Sequence, residues 1–323
     1  MKRVELGHSG IEVTELGYGC MMFGAKLERE AAFEQLDAYL ERGGNLLDTA
    51  NIYGRRKIDG TGRAGRSEEI IGAWLKERGC RDRVVLASKV GFAYPGISYG
   101  TSARQIREEC EKSLQRLQTD YLDLYYLHTD DENTPLEETL CTMDALVREG
   151  KVRAIGASNF SAWRLERARQ LCQANHWTQI CCIQQRYSYL RPKQDAVFPG
   201  QKYVVEDLRE YVRDTGITLL AYCPLLKGAY VNPEKSFMAQ YVGADAKARL
   251  AALDQVARET GYSKVQIVYY WLMHQDPAAI PLVTTTNMAQ FEEAMGTLKI
   301  QLSKEQLDFL SAAGDGSLDG AMK

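Results

Sequence analysis

The stretch from residue 83 to residue 128 contains RVVLASK (83–89), SARQIREECEKSLQRLQ (102–118) and YLDLYYLH (121–128). The first and third segments are short and rich in aliphatic, β-branched or aromatic residues, as buried β-strands are. The middle segment is longer and amphipathic, which is typical of a helix that packs on a core. A strand, a helix and a second strand in this order predict two parallel strands joined by a right-handed crossover.

The same alternation of strand and helix patterns runs through nearly the whole chain. Further amphipathic stretches occur at 28–43 and 67–79. Eight repeats in about 300 residues suit a closed (β/α)8 barrel better than an open doubly wound sheet. The eight β-type runs lie at 13–19, 44–50, 83–89, 121–128, 152–158, 179–185, 217–223 and 279–285.

Two further features complete the expected architecture. The segment KRVELGHSGIEV (2–13) predicts an N-terminal β-hairpin with a His-Ser-Gly turn, placed at the barrel floor. No Pro- or Gly-rich linker divides the chain, so residues 1–323 are expected to form a single domain. The expected fold class is therefore α/β, a TIM barrel whose long C-terminal-face loops lie at 54–66, 90–101, 186–202 and 224–245.

Composition narrows the range of functions. The chain carries a net charge of −3 and a pI near 5.9, which gives no electrostatic footprint for nucleic acid or an anionic membrane. No apolar run reaches the roughly 18 residues that span a bilayer, and the N-terminus lacks the apolar core of a signal peptide. We therefore expect a cytoplasmic protein with eight reduced cysteines and, given only four histidines, no metal site.

Polar residues close six successive β-type runs. In a parallel barrel the carboxyl ends of all strands meet at one rim, where enzymes with this fold build their sites. Each residue alone is an ordinary capping or turn residue, but their convergence predicts a functional site at the barrel mouth. The seven residues are Asp48, Lys89, His128, Ser158, Asn159, Gln184 and Tyr222.

With these residues placed, the sequence resembles the aldo-keto reductase family over essentially its whole length. The resemblance implies a (β/α)8 barrel that binds NAD(P)H across the rim and reduces a small-molecule aldehyde or ketone. The order of the matching segments, and their positions after successive strands, are typical of the family. The segments are LGYGCMMFG (16–24), NLLDTANIYG (45–54), RSEEIIGAWL (66–75), VVLASKVG (84–91), YLDLYYLHTDDENTPLEETL (121–140), GKVRAIGASNFS (150–161), IQQRYSYL (183–190), AYCPLLKG (221–228) and IPLVTTTNMAQFEEAM (280–295).

The resemblance implies a catalytic group that consists of Asp48, Tyr53, Lys89 and His128. A free tyrosine has a pKa near 10, which is high for an acid that must donate a proton at neutral pH. An ammonium group about 4 Å away would lower that pKa, and Lys89 is expected to do this for Tyr53. Asp48 would hold Lys89 charged and oriented. His128 would hydrogen-bond the substrate oxygen as negative charge develops there.

The resemblance also implies which residues bind the cofactor and the substrate. Ser158, Asn159 and Gln184 would hold the nicotinamide carboxamide, and Tyr222 would stack on the ring. Further cofactor contacts are expected from Gly19, Met21, Leu225, Lys227, Gly228, Thr284, Thr285, Thr286, Asn287, Gln290 and Glu293. Substrate contacts are expected from Phe23, Phe92 and Tyr187.

The segment at 284–295 departs from the family's pattern. Members that prefer NADPH usually carry cations where this chain has Asn287 and Gln290, and an adenine-facing Asn where it has Ala294. Asn and Gln can hydrogen-bond ribose hydroxyls but make no charge-assisted contact with a 2′-phosphate. We therefore expect NAD(P)(H) as the cofactor, with NADH use or dual use favoured over a strict NADPH preference.

Several functional alternatives remain at this point. The same residues would serve an NAD-dependent oxidation or epimerisation of a sugar alcohol group, because a general acid is a general base in reverse. A nicotinamide-binding regulatory protein with little turnover is another alternative, and the protein is expected to be a monomer or a homo-oligomer. A polyhydroxylated or anionic substrate such as a sugar or keto-sugar is favoured by rim-loop residues, namely Arg55, Arg56, Lys57, Tyr94, Tyr99, Arg186, Tyr187 and Tyr189.

Overall fold

Eight parallel strands close into a barrel in the computed structural model, which describes residues 1–54 and 63–314. The expected rim-loop cations Arg55, Arg56 and Lys57 lie outside the described residues. The barrel order is β10-β3-β4-β5-β6-β7-β8-β9, so every barrel strand has two hydrogen-bonded neighbours. The barrel strands are β3 (Gly17–Gly19), β4 (Leu46–Asp48), β5 (Val85–Val90), β6 (Leu122–Leu127), β7 (Val152–Ser158), β8 (Ile180–Arg186), β9 (Thr218–Tyr222) and β10 (Ala279–Val283).

Helices follow the barrel strands and cover the outside of the barrel. Helix α3 shows why such segments are helical: Ser102 caps its first turn by accepting from Gln105 N–H, and Ile106, Cys110 and Leu114 form its buried face. None of the helices within residues 1–54 and 63–314 is long and apolar enough to cross a membrane. The helices are α1 (Arg29–Glu41), α2 (Arg66–Arg78), α3 (Ala103–Leu117), α4 (Leu136–Arg148), α5 (Ala162–Asn175), α6 (Glu206–Thr215), α7 (Ala244–Thr260), α8 (Lys264–Met273), α9 (Met288–Met295) and α10 (Lys304–Ala312).

The N-terminal hairpin covers the end of the barrel where the strands begin. It pairs β1 (Arg3–Glu5) with β2 (Glu12–Thr14), so the run predicted at 13–19 divides between the hairpin and β3. Leu6 and Ile11 are buried against side chains of the barrel interior. A Cβ on Gly7 would lie 2.3 Å from the carbonyl oxygen of Cys181 at the start of β8, so only glycine permits this approach. The predicted hairpin and its place at the barrel floor are confirmed.

Side chains inside the barrel change from apolar to polar along each strand. Successive residues of a strand point to opposite faces, so every second side chain enters the barrel. On β5, Val85 and Ala87 belong to the apolar interior, and Lys89 is the next inward residue toward the mouth. Because all strands are parallel, the last inward residue of each strand reaches the same rim. The barrel therefore has an apolar lower half and a polar mouth.

Candidate active site

Asp48 and Lys89 form a buried ion pair at the mouth. The Lys89 ammonium donates to Asp48 Oδ1 at 2.5 Å and to the carbonyl oxygen of Thr49 at 2.8 Å. The second carboxylate oxygen of Asp48 accepts from the amide of Gln184 at 2.7 Å. Three strands thus contribute to one network, because β4, β5 and β8 each carry an inward polar side chain near the carboxyl end. A buried carboxylate and ammonium are tolerated here because each is paired and hydrogen-bonded.

Tyr53 and His128 stand beside this ion pair. The Lys89 ammonium lies 5.0 Å from the centroid of the half-buried Tyr53 ring. The rings of Tyr53 and His128 meet edge to face with centroids 5.8 Å apart, and Phe92 packs on His128 at 4.7 Å. His128 is buried, and its Nδ1 has no hydrogen-bond partner among the described residues. The structure therefore brings together all four residues expected to be catalytic.

Burial controls the protonation of these groups. Burial raises the pKa of Tyr53 well above its ordinary value, and the Asp48 carboxylate adds to the rise. The Lys89 ammonium lies over the Tyr53 ring and donates its protons to Asp48 and Thr49, and the expectation that it lowers the pKa of Tyr53 stays a prediction. Burial also lowers the pKa of Lys89, with Asp48 opposing it. The pKa of His128 falls well below its usual range through burial and then the Lys89 charge.

The residues expected to hold the nicotinamide lie together at the ends of β7, β8 and β9. Ser158 and Gln184 are register partners on adjacent strands. Asn159 adopts a left-handed backbone conformation with φ of 61°. Its side-chain nitrogen, Nδ2, donates to the His128 carbonyl oxygen at 2.8 Å. Its Oδ1 accepts from the Tyr222 hydroxyl at 2.8 Å and from the backbone N–H of Lys202 at 3.0 Å. Asn159 therefore connects the residue after β6, the loop after β8 and the end of β9.

Small residues and tight turns occur at two places on the mouth, after β3 and after β9. A Cβ on Gly19 would lie 2.6 Å from Thr284 Oγ1, so the end of β3 and the residue after β10 are in close contact. After β9, Lys227 and Gly228 both have positive φ, and the Lys227 carbonyl oxygen accepts from Lys235 at 2.6 Å. This turn also contains the half-buried Leu225, while Met21 beside β3 is exposed.

The start of helix α9 lies next to the end of β10. Asn287 caps the helix by accepting from Gln290 N–H at 2.9 Å. The side-chain oxygen of Gln290 accepts from the backbone N–H and the hydroxyl of Thr286. Glu293 is half-buried on the same helix, whereas Ala294 is buried in the core. Asn287 and Gln290 therefore form a neutral cap at the position expected to face the adenosine 2′-group.

Two of the expected substrate contacts are corrected by the structure. Phe23 is only 1% exposed and packs 5.9 Å from the Tyr18 ring in the core, so its side chain does not reach the mouth. Tyr187 packs on Trp271 at 6.0 Å, outside the barrel. The Thr285 hydroxyl donates to Gln35 Oε1 at 2.8 Å, and the cofactor contact expected from Thr285 stays a prediction.

Two of the tyrosines expected to favour a sugar also point elsewhere. The Tyr94 hydroxyl donates to Glu109 at 2.7 Å, and the buried Tyr189 packs on Trp271. Tyr99 is 43% exposed and lies beside Phe92, with ring centroids 6.2 Å apart. Of these rim aromatics, Tyr99 and Phe92 therefore face the entrance beside His128.

Sequence reasoning missed several groups of the site. The Thr49 carbonyl oxygen that binds Lys89 leaves no trace in the sequence, because every residue has one. Glu109, by contrast, lies three residues from Ile106 on the apolar face of α3, where a charged residue is a recognisable anomaly. Among the described residues no three His, Cys, Asp or Glu side chains are arranged to hold a metal ion.

The fold and this mouth define an NAD(P)(H)-dependent oxidoreductase that acts on carbonyl groups. The model of the aldo/keto reductase family matches residues 15–315, so the chain belongs to this family. It is 31% identical over 326 residues to the uncharacterised oxidoreductase YrpG of Bacillus subtilis, covering 96% of this chain and 95% of that protein.

Other relatives and one solved structure agree with this assignment. Protein tas of Escherichia coli is 31% identical, with 97% of each chain covered. Norsolorinic acid reductase stcV of Emericella nidulans is 30% identical, covering 93% of this chain and 78% of that protein. The structure of the thermostable aldo-keto reductase Tm1743 with the inhibitor epalrestat matches with a TM-score of 0.73 and 28% identity, covering 97% of this chain and 99% of that one.

Proposed function

We propose that this protein reduces an aldehyde or ketone to the alcohol, with Tyr53 as the proton donor. The observation that carries the proposal is the packing of the Tyr53 and His128 rings, 5.8 Å apart, beside the buried Lys89–Asp48 pair. The Tyr53 hydroxyl is protonated at neutral pH, as an ordinary tyrosine is, and a lowered pKa keeps His128 neutral. Tyr53 then holds its proton until the substrate oxygen becomes basic, while His128 can stabilise that oxygen by a hydrogen bond.

The residues at the ends of β7, β8 and β9 fit a nicotinamide cofactor, which supplies the hydride when it is bound. Ser158, Asn159 and Gln184 would hold its carboxamide, and Tyr222 would cover one face of the ring. The neutral cap formed by Asn287 and Gln290 supports use of NADH, or of both cofactors, over a strict NADPH preference. Arg42 also reaches α9, but its guanidinium is already paired there with Glu292.

The aromatic side of the mouth supports a substrate whose carbonyl carries an aromatic or other apolar group. Phe92 covers His128, and the exposed Tyr99 continues that wall toward solvent. The sugar hypothesis loses the support of Tyr94, Tyr187 and Tyr189, whose side chains face other parts of the protein. An aromatic aldehyde such as benzaldehyde is therefore expected to be reduced more efficiently than a polyhydroxylated one such as glyceraldehyde.

The decisive experiment compares Tyr53→Phe with the parent protein by following cofactor oxidation with benzaldehyde. Removing the hydroxyl leaves the ring in place, so cofactor binding should persist while kcat falls by at least about 100-fold. Tyr203→Phe is the matched control, because its hydroxyl donates to the exposed Gln194 carbonyl oxygen at 3.2 Å and to no other group in residues 1–54 and 63–314. Turnover by Tyr53→Phe close to the parent rate would exclude Tyr53 as the acid and make His128 the candidate.

A further inference from the structure

A fully buried carboxylate behind the catalytic group connects two of the mouth loops. Glu109 belongs to helix α3, and none of its surface is exposed. Its Oε2 accepts from the side-chain amide of Asn51 and from the hydroxyl of Tyr94, both at 2.7 Å. Its Oε1 accepts from the ammonium of Lys112 at 2.8 Å, one turn further along α3. One oxygen of Glu109 is therefore shared by the loop after β4 and the loop after β5.

Each of these loops also carries a residue of the candidate active site. Asn51 lies two residues before Tyr53, and its backbone N–H donates to the Lys89 carbonyl oxygen at 3.3 Å. Tyr94 lies two residues after Phe92, whose ring packs 4.7 Å from His128. A displacement of Asn51 would move Tyr53. A displacement of Tyr94 would move Phe92 and, through it, the imidazole.

The ionised form of Glu109 is the form suited to this task. A carboxylate accepts hydrogen bonds from several donors at once, which a protonated acid or an amide cannot do equally well. Burial alone would raise the pKa of Glu109, but the hydrogen bonds from Lys112, Tyr94 and Asn51 outweigh burial and lower that pKa. The network is incomplete on one side, because Asn51 Oδ1 is buried with no partner among the described residues. Glu109 is thus the group that holds the Asn51 side chain.

We propose that Glu109 is a positioning residue, which sets the separation between the Tyr53 hydroxyl and the His128 imidazole. The inference rests on the proposed function, in which both groups address the same substrate oxygen. A proton donor and a hydrogen-bond donor that share one atom must both lie within about 3 Å of it. Misplacement of one by an ångström costs on the order of 100-fold in rate, so a link between their loops has direct catalytic value.

The first test compares Glu109→Gln with Glu68→Gln. Both glutamates are fully buried, and both accept from one hydroxyl and one cation, which for Glu68 are Ser88 at 2.5 Å and Arg116 at 2.6 Å. The oxygens of Glu68, however, accept from strand β5 and helix α3, and among the described residues neither accepts from Asn51 or Tyr94. Both variants should lose thermal stability. Only Glu109→Gln should also lose kcat, by about tenfold, with the Kd values of NADH and NADPH kept within about twofold.

A gentler variant, Tyr94→Phe, removes one donor from Glu109 at a half-buried side chain and leaves the carboxylate in place. It should fold even if Glu109→Gln does not, and its kcat should fall several-fold with cofactor Kd unchanged. The double variant should be no slower than Glu109→Gln alone, because both substitutions break the same link. If kcat stays at the parent value in Glu109→Gln and in Tyr94→Phe, the positioning role is excluded and Glu109 is a structural residue only.

A readout without turnover separates this inference from the proposed function. The chain has four histidines, so the His128 imidazole can be assigned by NMR through a His128→Asn variant. Glu109→Gln should shift the His128 resonances, whereas Glu68→Gln should leave them in place. If Glu109→Gln shifts the His128 resonances but the parent protein reduces no carbonyl compound, the positioning role of Glu109 stands and the proposed function is wrong. If the parent protein is active but Glu109→Gln leaves the His128 resonances in place, the positioning role of Glu109 is wrong and the proposed function stands.

Discussion

The Lys89 ammonium nitrogen lies 2.5 Å from Asp48 Oδ1, and both side chains are buried. Replacing Lys89 with Met leaves the Asp48 carboxylate buried without its counter-charge, which costs about 3–5 kcal/mol of unfolding free energy. The double variant Asp48→Asn, Lys89→Met removes both charges, so its loss should be smaller than the sum of the single losses. Urea unfolding of the parent, of Asp48→Asn, of Lys89→Met and of the double variant measures this coupling. Losses of unfolding free energy that simply add would contradict it.

Tyr222→Phe should tighten cofactor binding. Both lone pairs of Asn159 Oδ1 are used in the structure, by the Tyr222 hydroxyl and the Lys202 N–H. A nicotinamide carboxamide that donates to this oxygen must displace one of them, and removing the hydroxyl frees a lone pair while keeping the ring. A net hydrogen bond of about 0.5–1.5 kcal/mol corresponds to a Kd lowered about two- to tenfold. Fluorescence titration measures it, with Tyr203→Phe as the control; weaker binding by Tyr222→Phe would contradict the prediction.

NADH and NADPH should bind with Kd values within about tenfold of each other. The start of α9 offers the neutral cap of Asn287 and Gln290, whereas a 2′-phosphate carries close to two negative charges and gains most from cations. Asn287→Arg should therefore tighten NADPH and leave NADH nearly unchanged, and Asn287→Gln serves as the uncharged control. A parent protein that binds NADPH a hundredfold more tightly, on the order of 2.7 kcal/mol, would show that another cation reaches the phosphate.

Protein stability should fall in mildly acidic solution partly because of His128. An unfolded histidine takes up a proton near pH 6.5, whereas burial and Lys89 lower the pKa of His128 well below that value in the folded protein. The unfolded chain therefore binds more protons below about pH 6.5, and this residue's contribution to stability is lost as the pH falls.

The slope due to this single group cannot exceed about 1.4 kcal/mol per pH unit. Unfolding free energies measured between about pH 7 and pH 5 should show a shallower dependence in His128→Asn than in the parent. His176→Asn is the control, because His176 lies at the exposed end of α5. Equal slopes in the parent and in His128→Asn would mean that the imidazole titrates normally in the folded state.

The barrel and its mouth were predictable because the pattern of apolar runs indicates both the strands and the residues at which they end. Lys89 and Asp48 each end an apolar run, and parallel strands bring such ends together without any knowledge of packing. The same periodicity could have excluded Tyr187: Gln184 points inward, so a residue three positions later points outward. That expectation rested on the family resemblance and on the position of Tyr187 in a rim loop, and the alternation of the strand overrides both.

Other features depend on distances that no local pattern encodes. The separation between the Lys89 ammonium and the Tyr53 ring decides whether the lysine lowers the tyrosine pKa, and it follows from how the loop after β4 folds. Phe23 lies only four residues after the inward-facing Gly19, yet a turn carries its side chain into the core. Sequence alone placed these residues near the rim but could not orient them.

The hairpin and the apolar side chains of the lower barrel together close the floor beneath the active site. Leu6 and Ile11 close the lower end, and Gly7 lies too close to Cys181 to leave a passage between the hairpin and β8. Reactants and products therefore reach and leave the catalytic side chains from the rim. Every ligand then passes the loops that follow the strands, so a substitution in these loops bears on access as well as on chemistry.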